Sequence, residues 1–267
     1  MSVFDTIKKL FGGTRNTETR SNLDQPGIVD SSITSDAPDV ALEQSWNRRD
    51  AYWAALGNVE NDVLGHMISP SLRGGPFWPT MRQAYRVIRC DNTIIIATDG
   101  MSDPFEGISG SGNGFEMELF IETPDVLPQH VGEPGDISEL SKDWAFALIS
   151  HVAGIVADAG GITGQLEVYG VLSMELPGVS QSHALSTQLP DGYVTDDDCL
   201  GILLGVPVLV FPNRIDDMPL SSVTVVPITL IMASELQQLR SGGAEARKAL
   251  VGELLKSGRN HFSSFQS

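Results

Sequence analysis

Across 267 residues the chain carries 34 acidic and 17 basic side chains, a formal net charge of −17, with 41% of residues hydrophobic. That hydrophobic share supports the core of one large domain or two small ones, while the acidic balance argues against nucleic acid or anionic lipid as a partner. No apolar run approaches the ~20 residues that span a bilayer, and Cys90 and Cys199 lie far apart without zinc or disulfide spacing, so reduced thiols are expected.

Val3, Phe4, Ile7, Leu10 and Phe11 recur at helical spacing and stop at Gly12-Gly13. They predict a short amphipathic helix able to dock on the domain, a membrane surface or a partner. Asp5, Lys8 and Lys9 interrupt this stretch, which does not fit a secretory signal and leaves the cytoplasm as the expected location. Thr14 to Pro38 is rich in Ser, Thr, Asp and Asn, so residues 1–38 read as a poorly ordered arm.

The folded domain is expected from Asp39, which caps a helix whose Leu42, Trp46, Arg49, Trp53 and Leu56 recur at helical intervals up to Gly57. Pro70, Gly74, Gly75, Pro76 and Pro79 then break regular structure. Tyr85 to Arg89 leads through an Asp91-Asn92 turn into a strand over Thr93 to Thr98, and the two pair as a hairpin. Farther on, Phe115, Met117, Leu119 and Ile121 alternate with Glu116, Glu118, Phe120 and Glu122, the period of a strand with one buried face. Between these strands, Asp99-Gly100, Asp103-Pro104, Gly107, Gly110, Gly112 and Gly114 read as a long, exposed, acidic loop.

Asp136 to Asp158 places Ile137, Leu140, Trp144, Leu148, His151 and Ile155 on one helical face that closes at Gly160-Gly161. His151 is read there as a core histidine. Gln165 to Glu175, Leu200 to Phe211 and Ser222 to Met232 read as strands, with Pro207 and Pro227 at bulges or edges. Ser234 caps a last helix that is interrupted at Gly242-Gly243 and resumes through Leu250, Leu254 and Leu255, and residues 258–267 form a C-terminal tail whose last few residues fray. Strands that outnumber helices without regular alternation predict an α+β fold, a mixed, largely antiparallel sheet flanked by helices, in a single domain over 39–257.

The charge is unevenly distributed. Cys90 to Asn213 holds nineteen acids against Lys142 alone, and the remainder of the chain is near neutral. Such a block reads either as a solvated surface or as a field that steers a cationic partner. Asp99, Asp103 and Glu106, with His66, could hold a hard cation for hydrolysis, but the spacing lacks the EF-hand pattern and both aspartates sit where turns favour Asp. Gly110 to Gly114 is not followed by a helix that could cradle phosphate, and Asp196-Asp197-Asp198 reads as a solvated loop. No nucleophile elbow or HExxH is present. Trp46, Trp53 and Trp144 are expected in the core, whereas Phe77 and Trp78, held between prolines, suit core or interface equally. Neither a catalytic residue, a metal site nor a cofactor is implied.

The run Ala97 to Gly107, ATDGMSDPFEG, followed by Phe115 to Asp125, FEMELFIETPD, and preceded by Phe77-Trp78-Pro79, resembles the bacterial branch of the Suppressor of fused domain family. Its T-x-G-[ML]-S-[DE] turn and following E-x-x-L segment are matched here. Leu203 to Asn213, Val223 to Leu236 and the terminal helix are similar in order, so the resemblance covers about Val40 to Lys256. It implies a single α+β domain that binds other proteins, in bacteria as an immunity protein covering a toxin that is often a basic nuclease. On that reading Asp99, Met101, Ser102, Asp103, Glu106, Phe77 and Trp78 face the partner; the alternatives are the metal-dependent hydrolase and a regulatory scaffold whose partner is not a toxin.

Overall fold

A computed structural model describes residues 36–65, 75, 77–106 and 112–265. The amphipathic segment and most of the linker, together with His66, Pro70, Gly74, Pro76, Gly107 and Gly110, lie outside the described residues. Helix α1 (Asp36–Ala54) begins before Asp39 and is followed by strands β1 (Asn58–Gly65), β2 (Ala84–Arg89), β3 (Ile94–Asp99) and β4 (Met117–Thr123). Helices α2 (Trp144–Asp158) and α3 (Thr163–Tyr169) come next, then β5 (Leu172–Pro177), α4 (His183–Gln188), β6 (Cys199–Leu204), β7 (Arg214–Ile215), β8 (Val223–Ile231) and α5 (Ala233–Ser257). Seven strands form one sheet in the order β1-β2-β3-β4-β8-β6-β5, with β7 paired beside β8. Among the described residues every pairing is antiparallel except β4 with β8. The mixed, mostly antiparallel α+β fold expected from the sequence is therefore present, as one domain.

Hydrophobic residues cover both faces of the sheet. Ile94, Ile96, Met117, Leu119 and Ile121 pack with Trp144, Leu148 and Val152 of α2. On the opposite face Ile95, Ala97, Phe120 and Val225 meet Trp53 of α1, and Leu203 and Ile231 meet Leu236 and Leu250 of α5. All seven residues of β4 are consequently buried, not one face of two, because helices lie above and below a central strand.

Local chemistry explains where elements start and stop. The periodic stretch from Asp136 divides into a 3-10 turn (Ser138–Lys142) and α2, since Asp143 adopts extended angles and its carboxylate accepts the Ala145 N–H as an N-cap. His151 on α2 is exposed, so it is not a core histidine. Gln165 to Tyr169 is helical rather than extended; α3 follows the left-handed Gly160 and Gly161, and Gly170 ends it with φ 71°. Strand β6 stops at Leu204 because Gly205 turns with φ 86°. Pro227 sits in a central strand, yet its carbonyl accepts from Gly205 N just past the last β6 pair, so its missing N–H falls beyond the ladder. Helix α5 is capped at Met232, whose N–H donates to Glu235, rather than by Ser234. It does break at Gly243.

No single helix among the described residues is long and apolar enough to cross a membrane. The pair α2 and α3 reaches the length only across a 95° bend, and α2 is buried in the core.

Candidate functional site

The turn that follows β3 begins from a steric demand. Gly100 holds φ 142°, and a Cβ there would lie 2.7 Å from the Arg82 carbonyl oxygen, so the chain can double back only with glycine at this point. The turned backbone aims its donors at Glu118 of β4. One Glu118 oxygen accepts Gly100 N–H at 3.2 Å, Ser102 N–H at 2.9 Å and the Ser102 hydroxyl at 2.6 Å, and the other accepts the Thr98 hydroxyl at 2.5 Å.

Into the space left by this turn projects Arg49 from α1, fully buried. Its Nε donates to Asp99 Oδ1 at 2.9 Å, one terminal nitrogen to Ser102 Oγ at 3.1 Å and the other to Asp103 Oδ1 at 2.5 Å. Glu118 Oε1 lies 3.7 Å from the same guanidinium. The second Asp99 oxygen accepts from Arg82 at 2.6 Å and Arg86 at 3.0 Å. Asp103 also takes Trp46 Nε1 at 3.1 Å and the Thr80 hydroxyl at 3.1 Å, and the Arg82 guanidinium lies 5.2 Å from the Trp46 ring centroid. Asn113 closes the assembly: its amide nitrogen donates to Ser45 Oγ and Ser102 O, and its oxygen accepts the N–H groups of Leu220 and Ser221. A buried charge is tolerable only when paired and hydrogen-bonded, and here three carboxylates answer three arginines.

The electrostatics follow from that pairing. Burial works against the Arg49 charge, but Glu118, Asp103 and Asp99 raise its pKa above the ordinary value. For Asp99, burial pushes upward and the guanidiniums of Arg49, Arg82 and Arg86 prevail, holding the carboxyl below its usual range. Glu118 is pushed above the usual glutamate value by burial, which Arg49 offsets only in part. Chemically the cluster is closed: its carboxylate oxygens already hold guanidinium, hydroxyl or N–H donors where a metal ion would have to sit.

Most residues expected at a partner-facing loop are interior. Asp99, Met101, Ser102 and Asp103 have zero exposure and Trp78 has 5%, its ring 5.7 Å from that of Tyr85. The loop turns inward because Arg49, once buried with α1, requires those carboxylates. Only Phe77, at 71% exposure, and Glu106 stay at the surface, beside the exposed Met81. Asp197 and Glu175 share the guanidinium of Arg240, which brings Asp197 down to about 2. Their donor atoms and Cys199 Sγ lie within 4.8 Å of one another, but the cation between the carboxylates is Arg240. Burial pushes the thiols of Cys90 and Cys199 up, away from the thiolate a nucleophile needs. A cleft of ≈ 280 Å³ beside the β2–β3 turn includes Cys90 and Arg89; Arg89 is fully engaged with Glu60 and the carbonyls of Val131, Glu133 and Asp136.

Sequence reasoning did not assign Arg49, Arg82, Arg86, Glu118 or Asn113 to the site. Arg49 alone carried a signal, as an arginine on the stripe with Trp46 and Trp53. Compared with protein-family models, curated proteins and solved structures, the chain matches none.

Proposed function

We propose that this protein is a non-catalytic binding module that covers a basic protein partner in the cytoplasm, in the manner of an immunity protein occluding a cationic toxin. One observation carries the reading. Of the nineteen acids between Cys90 and Asn213, Asp99, Asp103, Glu118, Glu122 and Asp143 are buried, and the other fourteen reach solvent; Lys142 is the block's only base and pairs with Glu139, while Arg240 from outside it pairs with Glu175 and Asp197. Surface carboxylates in that excess raise the encounter rate with a cation-rich surface and repel acidic competitors. Asp91 at the β2–β3 turn and Glu133, Asp136 and Glu139, in and just after the segment whose carbonyls hold Arg89, lie toward one end of the sheet. Exposed Phe77 and Met81 supply apolar contact of the kind interfaces favour. The resemblance to Suppressor of fused domains in the Ala97–Asp125 region points the same way.

Affinity capture with the intact chain from its native cell tests the proposal. The expected partner is a protein with a surface excess of Lys and Arg, retained by the wild type and lost by a variant with Asp91→Asn, Glu133→Gln and Glu139→Gln. Recovery of an acidic partner, or equal retention by that variant, contradicts the proposal.

A further inference from the structure

β4 and β8 lie side by side only from Met117↔Thr224 to Phe120↔Pro227. Beyond that point Ile121–Thr123 stays with β3 and Ile228–Ile231 with β6, so the two strands part. From β4 the chain runs to α2 on one face, and from β8 to α5 on the other. A parallel pair whose chains leave toward opposite faces opens a crevice at its carboxyl ends, the place where open sheets bind ligands.

That crevice is filled by residues 259–265, which follow α5. Ser263 bridges the parted strands: its N–H donates to Glu122 O at 2.9 Å, and its hydroxyl donates to Ile228 O and accepts Leu230 N–H, both at 2.9 Å. On the α1 face His261 meets Glu122 Oε2 at 2.9 Å and packs on Phe120 and Phe211. On the α2 face Phe265 packs on Trp144 and Tyr193, with its N–H on Asp125 Oδ2 at 2.6 Å. These are the contacts of a bound peptide: a backbone donor, a hydroxyl matched to both strands and an aromatic ring in a pocket. Among the described residues His261 Nδ1 and Asn260 Oδ1 are buried with no protein hydrogen-bond partner. The segment joins α5 through two left-handed residues, Gly258 and Asn260, a short hinge.

We propose that the β4/β8 crevice is a peptide-binding site for an extended segment carrying imidazole, then a hydroxyl two residues on, then an aromatic ring two further. The segment 259–265 is its resident occupant, exchangeable for the same sequence supplied in trans. This site shares Asp125 with the acidic block but none of the residues varied above, and it does not depend on the reading above.

The test uses a fluorescent synthetic peptide of residues 259–265 and the full chain. A Ser263→Ala, Phe265→Ala double variant, whose resident segment is weakened, is expected to bind the peptide at least about tenfold more tightly than wild type. The peptide altered at the serine corresponding to Ser263 should bind that variant about tenfold more weakly. A folded variant that binds no better than wild type overturns the proposal. Should the variant not fold, amide hydrogen exchange in the wild type decides: the Leu230 and Ser263 amides are expected to exchange about a hundredfold faster than those of central β3, and exchange only at the rate of global unfolding overturns it.

Discussion

Arg49 joins the first helix to the sheet through charge rather than grease. Its neighbours along the buried stripe of α1 are Ser45 and Trp53, so the helix has little apolar face to hold it down. Removing one member of a buried ion cluster leaves its partners unpaired, and Arg49→Ala is expected to destabilise the domain by about 3–5 kcal/mol, measured by urea unfolding. Arg49→Lys should also lose stability, because an ammonium cannot reach Asp99, Ser102 and Asp103 in one plane. A loss below about 1 kcal/mol for Arg49→Ala contradicts this assignment. Glu118 and Asp99 couple the same cluster to pH with opposite signs. The folded pKa of Glu118 lies above its unfolded value of about 4.3, so its contribution is complete below that pH and is lost as pH rises through the folded value. Asp99, held low, contributes fully above about 3.9 and loses that contribution as pH falls through its folded value. Glu118→Gln removes only the first dependence. The stability of wild type relative to Glu118→Gln should therefore decline as pH rises from about 4 toward neutrality; a flat difference contradicts the raised Glu118 carboxyl.

Elements differ in how far their sequence specifies them. The hairpin of β2 and β3 is legible because an Asp91-Asn92 turn separates two compact apolar runs, and the fold puts them in register from Ala84↔Asp99 to Arg89↔Ile94. Strand β1 is not legible because it is a polar edge: Asn58, Asn61 and Asp62 face solvent, and the register shifts between Val59 and Val63. Such features discourage edge pairing and also erase the hydrophobic alternation. In α3, Val168 and Tyr169 carry strand propensity, yet the Gly160-Gly161 pair before it, Gly170 after it and its packing beside β5 select a helix. The acidic turn reads as exposed for a similar reason. Turn chemistry at Asp99 and Asp103 is local and readable, whereas the arginine that draws them inward lies 50 and 54 residues earlier in the chain and meets them only in space. Long-range pairing of this kind, like the passage of residues 261–265 between β4 and β8, leaves no periodic trace.

For the molecule as a whole, the division of its carboxylates is the informative feature. Those at the turn after β3 build the fold, and those around the sheet ends and loops reach solvent, where the proposed function has them meet a partner. Interior pairs are shielded from salt, while exposed charges are screened over about 10 Å at 0.1 M ionic strength. The two sets can therefore be separated by one measurement, the association rate constant between the intact chain and its captured partner from about 0.03 to 0.5 M salt. A steep fall in that rate, with dissociation little changed and the fall reduced in the Asp91→Asn, Glu133→Gln, Glu139→Gln variant, is the predicted result. A rate constant independent of salt contradicts the proposal that this acidic surface steers a basic protein onto the domain.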